Sequence, residues 1–193
     1  SIVSRQSSLS VPLIVINKPG AGGVVAWGYM IQKRGGGHHI SVSAPNLLTN
    51  EIEGKGSIGL DSITPIVNLY EEFSVVTVRA DSLISTGRDL VSRLIKDPGS
   101  VSIAVAPSLG SGNHLAVVIA LRSAGVDVRK LRVVPYASSG ASATALLGGE
   151  VDVMSASTAV AAPWVSAGRI RVLAASSASR LDGVFASAPT WKE

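Results

Sequence analysis

The sequence predicts an α/β fold in which mostly parallel strands are flanked by helices. Short β-branched segments alternate with helix-like segments of about ten to fifteen residues, a pattern that is typical of βαβ units. The composition agrees, because 46% of the residues are hydrophobic while only 4% are aromatic, and Val, Ala, Ser and Gly dominate. Such a composition suits buried parallel strands that pack closely against helices with small side chains.

The first part of the chain contains two strand-like runs. Residues 11–16 are apolar and rich in β-branched side chains, and the glycine-rich residues 17–23 separate them from a helix predicted over residues 24–32. A second strand is predicted over residues 39–44, directly before Pro45. The same order of strand, small-residue loop and helix therefore begins early in the chain.

Two strand-like runs, residues 64–70 and residues 73–78, are separated only by Glu71 and Glu72. Two residues are too few for a helical crossover, so we expect the chain to pass here from one lobe to another. A second crossing is expected after Ala175. These crossings predict that residues 1–79 form part of a first lobe, residues 80–175 a second lobe, and residues 176–193 a return toward the first.

The second half of the chain repeats the strand-loop-helix order three times. Strands are predicted over residues 100–106, 131–135 and 151–154, and each is followed by small residues at 108–112, 137–140 and 156–158. Before them, Ser85 and Thr86 are suited to cap a helix that Asp97-Pro98-Gly99 ends.

Composition excludes several classes of protein. The chain has no Cys, so it can form neither a disulfide framework nor a thiolate metal site. Its net charge is +4, but no four basic residues are consecutive, so nucleic acid is not expected as a partner while small anions are favoured. No uninterrupted apolar run reaches the roughly 18 residues that a membrane span needs. Residues 1–5 do not resemble a signal peptide, so we expect any export signal to lie upstream or to have been removed.

The small-residue loops are the candidate ligand-binding elements of the sequence. A loop that joins a parallel strand to the next helix leaves backbone N–H groups at the helix N-terminus, where the helix dipole favours an anion. Gly permits close approach of the ligand, and Ser and Thr add hydroxyl donors. Any one such loop is explained equally well as a tight turn or a helix cap. Several at one edge of a sheet predict an anion-binding site.

Other kinds of site find less support. The loops match neither G-x-G-x-x-G nor the P-loop pattern, so no nucleotide cofactor is expected. Ser111, His114 and Asp152 could form a nucleophilic triad, but no G-x-S-x-G elbow is present, and we expect Asp152 to be a structural partner of a neighbouring loop. The pair His38-His39 has no third metal ligand near it in the sequence.

Four stretches resemble the Bug family of extracytoplasmic receptors, the binding proteins of tripartite tricarboxylate transporters. They are NKPGAGG at 17–23, GSGNHL at 110–115, VPY at 134–136 with ALLGGEVDVM at 145–154, and AGRIRVL at 167–173. The resemblance implies a two-lobed periplasmic-binding-protein (Venus-flytrap) fold, with a mostly parallel sheet flanked by helices in each lobe. It also implies a non-enzymatic, monomeric periplasmic protein that needs no cofactor, binds a small carboxylate and docks on membrane permease subunits.

The resemblance also implies which residues contact the ligand. Those expected from the first lobe are Ala21, Gly22, Gly23, Pro45 and Asn46, and those expected from the second are Ser108, Ser111, His114, Tyr136, Ser138, Ser139, Ser155, Ala156 and Ser157. The last three are expected in a loop after Met154. Many relatives have an acidic residue where this chain has Ala156, so we expect a simple carboxylate rather than an amino acid. An opening strand of the family is expected before Ser1, and a further segment after Glu193.

Two other functions remain open at this point. An α/β enzyme could use the same helix N-termini to hold a phosphate or acyl group, although it would need a positioned base. A regulatory domain could sense the same carboxylates for a signalling partner. Fold class alone does not separate these functions from transport.

Overall fold

The computed structural model describes residues 12–54 and 58–193. The six α-helices of this part are α1 (Val24–Gln32), α2 (Asn46–Ile52), α3 (Gly87–Lys96), α4 (Gly112–Ser123), α5 (Ser139–Gly148) and α6 (Thr158–Ser166). The five strands are β1 (Ser74–Arg79), β2 (Ser102–Val105), β3 (Arg132–Pro135), β4 (Val153–Ser157) and β5 (Ile170–Ala175). Short 3₁₀ turns lie at Ala21–Gly23, Leu60–Ser62, Val128–Lys130 and Gly183–Phe185.

The strands form one sheet in the order β3-β2-β4-β1-β5. Strand β2 runs parallel to both β3 and β4, while β1 is antiparallel to both of its neighbours, β4 and β5. Four of the five strands therefore point in one direction. The expectation of a mostly parallel α/β sheet is confirmed, although the reversed β1 in its interior was not predicted.

Helices cover both faces of this sheet, and each face has its own apolar cluster. On one face Leu90 and Leu94 of α3 and Val117 and Leu121 of α4 pack against β-strand side chains such as Ile103. The four-residue spacing on each helix places its apolar side chains on a single stripe. On the other face α5 and α6 contribute small side chains, mainly Ala, that pack against Ala104, Met154 and Ala156. Strand residues alternate between the two clusters, as the pleat requires.

Capping interactions are found at helix ends where the sequence has capping residues. The hydroxyl of Thr86 accepts a hydrogen bond of 3.1 Å from the Asp89 N–H, which caps α3. Ser138 caps α5 in the same way, accepting from the Ala141 N–H at 3.2 Å. Gly149 ends α5 in the left-handed conformation, with φ of 77°.

Three predicted strands are absent in the described residues. Residues 12–16, 39–44 and 64–70 have no regular secondary structure and join no ladder, and residue 11 lies outside the described part. Their apolar side chains lie in solvent, since Ile14 is 77%, Ile40 is 74% and Ile66 is 79% exposed. The prediction was wrong here because a β-pattern becomes a strand only when another strand pairs with its backbone.

The two predicted crossings lie side by side. Strand β1 begins at Ser74 and β5 ends at Ala175, and the Ser176 N–H donates to the Ser74 carbonyl at 2.8 Å. All of β1 lies within this sheet, so residues 74–79, which were expected in the first lobe, pair with strands β4 and β5 of the second. Within residues 176–193, Thr190 bridges Ala175 and Trp191 packs on the first cluster, so this part of the segment stays against the sheet.

No helix in residues 12–54 and 58–193 is long and apolar enough to cross a membrane.

Candidate functional site

The candidate site lies at the carboxyl edge of the parallel strands. The loops after β2 and β3 and the start of α6 after β4 all follow from this edge. Since β1 runs the other way, its first residue, Ser74, is paired with Ser157 at the same edge. The ligand-binding edge predicted from the sequence is thus also the edge where the chain enters and leaves the sheet.

The first turn of α4 provides backbone N–H groups at this edge. Ser111 precedes the helix with extended backbone (φ −66°, ψ 162°), and its carbonyl accepts from the Leu115 N–H at 2.9 Å. The earlier N–H groups of the helix have no carbonyl within the helix to bind, so they can be offered to an anion.

The hydroxyl of Ser111 is hydrogen-bonded within the protein. It is 3% exposed and donates to the Ala106 carbonyl at 3.2 Å. A hydroxyl has one proton, and a carboxylate only accepts hydrogen bonds. Ser111 can therefore donate to a ligand only by giving up Ala106.

His114 is half-buried one turn into α4. Its Nδ1 accepts a 2.9 Å hydrogen bond from the Gly110 N–H, so the neutral ring carries its proton on Nε2. Burial lowers the pKa of His114 below its ordinary value, and the nearby carboxylate of Glu53 opposes this shift. The side chain is thus held neutral, with Nε2–H available as a donor.

Asn113 was not among the residues expected from the sequence. Its amide nitrogen donates to the Ala106 carbonyl at 3.1 Å, and its amide oxygen accepts from the Ser74 hydroxyl at 2.8 Å. Its backbone carbonyl accepts from the Ser155 hydroxyl at 2.7 Å. The position in the GSGNHL stretch was the available signal, but the partners lie on distant segments.

The glycine loop in the first part of the chain turns through three consecutive left-handed residues. Ala21, Gly22 and Gly23 have φ of 47°, 61° and 105°. At Gly23 a Cβ would lie 2.8 Å from the buried ring of Trp27, so no larger residue fits there. The carbonyl of Gly22 accepts from the side-chain amides of Asn46 and of Asn50, the latter at 3.3 Å.

Helix α2 and the glycine loop meet the loop after β2. The Thr49 hydroxyl donates to the Gly110 carbonyl at 2.9 Å. A Cβ on Gly22 would lie 3.3 Å from Asn50 Nδ2 and 3.5 Å from Ser108 Oγ. The structure therefore brings together Gly22, Asn46, Ser108 and the Gly110–His114 turn, while the exposed Pro45 precedes α2.

The loop after β3 presents Ser138. Its hydroxyl oxygen accepts from Ala141, so its own proton remains available to a ligand. The ring of Tyr136 packs against the second apolar cluster, and its N–H donates to the Val105 carbonyl at 2.8 Å. The carbonyl of Ser139 accepts from the Ser142 hydroxyl at 2.8 Å, and this bond lies within the first turn of α5.

Ser155, Ala156 and Ser157 do not form a loop, because β4 continues through Ser157. Ala156 is fully buried in the second cluster, so a side chain there points into the core and its identity gives no support for excluding a ligand amine. Ser157 ends the strand at the candidate site's edge. The strand was predicted too short because pairing with β1 extends it.

The structure separates the members of the catalytic triad. Asp152 lies at the amino end of β4, where its carboxylate accepts from the Ser102 N–H at 2.8 Å and the Ser102 hydroxyl at 2.6 Å. Ser111 and His114 follow the carboxyl end of β2, at the opposite edge. Asp152 has a structural partner, but this partner is Ser102, the first residue of β2, and not a residue of a neighbouring loop.

Two surface cavities lie away from this junction. One, of about 360 Å³, lies between Phe73, α6 and Phe185, and the other, of about 220 Å³, lies beside Arg171 and Ala188. Neither is lined by the glycine loop or by His114. Within the part of the chain that the structure describes, no cluster of His, Asp or Glu could hold a metal ion.

Helix N-termini, hydroxyl groups and an imidazole therefore lie at the carboxyl edge of this α/β sheet, the edge at which open α/β folds bind ligands. The family described as "Tripartite tricarboxylate transporter family receptor" matches residues 3–193. The chain belongs to this family.

Individual relatives agree with this assignment. A UPF0065 protein from the gbd 5′ region of Cupriavidus necator is 31% identical over 96% of this chain and 55% of its own length. The crystal structure of a ligand-free TctC solute-binding protein from Polaromonas is 30% identical, with a TM-score of 0.69 over 93% of this chain and 60% of that one. The fold is shared by malate-bound MatC from Rhodopseudomonas palustris, which is 23% identical with a TM-score of 0.60 over 68% of this chain and 43% of that one. The chain spans about half the length of the curated relatives it matches.

Proposed function

We propose that the whole protein is an extracytoplasmic receptor that captures a small carboxylate for a tripartite tricarboxylate-type transporter. The observation that carries the proposal is the junction at which the glycine loop, α2 and the first turn of α4 meet, joined by the Thr49–Gly110 hydrogen bond. The ligand class that fits is a di- or tricarboxylate or a related organic acid.

Donors at the carboxyl edge of the sheet suit a carboxylate. The first N–H groups of α4, the free proton of Ser138 and the Nε2–H of His114 can donate, and a carboxylate oxygen can only accept. Bonds from neutral donors to a charged acceptor are charge-assisted and about twice as strong as neutral ones. The family assignment and the malate in MatC support the same ligand class.

The arrangement also suits capture by closure. The glycine loop and α2 come from the first expected lobe, while α4 and Ser138 come from the second. A ligand that contacts both parts is bound more tightly when they are together, so it shifts the protein toward the closed form. We propose that this closed form, as a monomer in the periplasm, docks on the membrane permease subunits.

A thermal-shift screen of the protein at its natural length tests the proposal. The compounds are malate, citrate, adipate, benzoate, glutamate and a phosphate ester, because a ligand of the folded state raises its melting temperature. We expect a rise with one of the simple carboxylates, followed by calorimetric titration of that compound. Stabilisation by the phosphate ester alone would contradict the proposal and favour an enzyme.

A further inference from the structure

Asn113 lies between the anion-binding turn and the point where the chain enters the sheet. Its side-chain amide uses both of its ends: Nδ2 donates to the Ala106 carbonyl, and Oδ1 accepts from the Ser74 hydroxyl. An amide side chain provides a donor and an acceptor on separate atoms. Asn113 therefore has two structural attachments that no single neighbour duplicates.

The Ser74 attachment leads to both chain crossings. Ser74 is the first residue of β1, and its carbonyl accepts from the Ser176 N–H at 2.8 Å, directly after β5 ends. Immediately before it, the Phe73 carbonyl accepts from the Thr158 N–H at 3.0 Å. A change in the direction of either crossing must move the Ser74 hydroxyl or break its bond to Asn113.

The Ala106 attachment leads to the ligand-binding turn. The Ala106 carbonyl accepts from both Asn113 and Ser111, so two residues at the start of α4 fix the loop that follows β2. The same loop carries Gly110, which is bound to His114 and to Thr49. The Ser155 hydroxyl holds the Asn113 backbone in place from β4.

We propose that Asn113 is a positioning residue that couples the orientation of the two chain crossings to the carboxylate-binding turn. This inference rests on the proposed function. The link consists of neutral groups only, from Ser176 through Ser74 and Asn113 to Ala106. Because coupling between sites is reciprocal, a ligand at the turn favours one arrangement of the crossings, and that arrangement favours the ligand.

The test needs no ligand. Ser74→Ala removes a hydroxyl that touches neither Gly110 nor Ser111, yet the link predicts faster amide hydrogen exchange at both. Loss of one hydrogen bond of ordinary strength corresponds to about a fivefold increase. The amide of Ile103, in the middle of β2, serves as the internal reference and should not change.

Four further variants sharpen the result. Ser74→Thr keeps the hydroxyl and should restore the original exchange. Ser92→Ala removes a similar hydroxyl bond, to the Arg88 carbonyl on the exposed side of α3, and should leave Gly110 unaffected. In the reverse direction, Asn113→Ala should speed exchange at the Ser176 amide, while Asn113→Asp, which keeps the acceptor for Ser74, should do so less.

Unchanged exchange at Gly110 and Ser111 in Ser74→Ala would overturn the coupling. Equal increases at Ile103 would overturn it as well, because they would indicate general destabilisation. Calorimetry with malate and citrate on the unmodified protein decides the proposed function separately. The coupling can therefore fail while carboxylate binding is observed, and carboxylate binding can fail while the exchange pattern supports the coupling.

Discussion

The hydroxyl of Thr49 donates a 2.9 Å hydrogen bond to the carbonyl of Gly110, and this bond joins helix α2 to the loop that precedes α4. The two residues belong to the two parts of the chain that are expected to form separate lobes. The contact exists only while these parts are together, so it contributes to the state that holds the ligand.

Replacing Thr49 with Val removes this bond and keeps the shape of the side chain. A neutral hydrogen bond contributes about 0.5–1.5 kcal/mol net, so carboxylate affinity should fall about two- to tenfold. Calorimetric titration measures the change, and Thr49→Ser, which keeps the hydroxyl, is the control. Equal affinity for the Val and Ser variants would show that the contact plays no part in binding.

Gly22 and Gly35 form a matched pair, since both have left-handed backbone, with φ of 61° and 79°. Alanine at either position should cost about 1–2 kcal/mol of stability from backbone strain. At Gly22 the added Cβ also meets Asn50 and Ser108, while at Gly35 nothing lies within 4 Å. We expect similar melting temperatures for both variants and at least tenfold weaker binding, about 1.4 kcal/mol, only for Gly22→Ala. A binding loss in both would assign the effect to folding.

Ser138 and Thr86 both cap helices through their hydroxyl oxygens. Alanine at either position should lower the free energy of unfolding by about 1 kcal/mol. The hydroxyl proton of Ser138 can also bond a carboxylate at the candidate site. Ser138→Ala should therefore weaken carboxylate binding by about 1.5–3 kcal/mol, which is about tenfold or more. Denaturant unfolding and calorimetry separate the two effects. If Ser138→Ala and Thr86→Ala bind alike, Ser138 is a cap and not a ligand contact.

Ser111 should behave differently from Ser138, although both precede helices. Its proton is used on the Ala106 carbonyl, which Asn113 also satisfies. We expect Ser111→Ala to cost about 0.5–1.5 kcal/mol of stability and to weaken carboxylate binding less than Ser138→Ala does. A larger binding loss at Ser111 would mean that its hydroxyl turns to the ligand.

The lowered pKa of His114 predicts that the stability of the protein depends on pH. Burial lowers the pKa of its ring in the folded protein, so the unfolded chain takes up the proton first as the pH falls. The contribution of His114 to the free energy of unfolding is complete above a pH of about 6.5, the ordinary pKa of His. It is lost as the pH falls through the lowered pKa. Urea unfolding at several pH values between about 7.5 and 5 should show this decrease.

The His114→Gln variant should lose that part of the pH dependence, and the exposed His38→Gln provides the control. A protonated His114 would also lose its bond from the Gly110 N–H, because a charged ring has no acceptor nitrogen. Identical pH profiles for the unmodified protein and His114→Gln would contradict the prediction.

Much of the fold could be predicted because it depends on local pattern. The strands of the second half, the helices between them and the Thr86 cap follow from periodicity and from residue type over a few positions. The antiparallel position of β1 between β4 and β5 could not be predicted in this way. Its sequence reads as a buried strand, and a buried strand has no local signal for direction.

The segments around Ile14, Ile40 and Ile66 also show that local sequence does not determine strand pairing. Each has the composition of a strand, and each lies outside the sheet in the described residues. Composition reports the preference of a segment for a pleated, half-buried surface, but the hydrogen bonds that make a strand come from another segment.

The sequence by itself determined which chemical groups are present at the candidate site: glycine amides, serine hydroxyls, one imidazole and the start of α4. Only the tertiary structure decided how each group is used. The proton of Ser111 is directed to Ala106 while that of Ser138 stays free, and Asn113 is bound to Ser74, 39 residues away. The physical reason is that a side chain has few donors and acceptors, and the partner that uses them is placed by the packing of the whole sheet and not by neighbours along the chain.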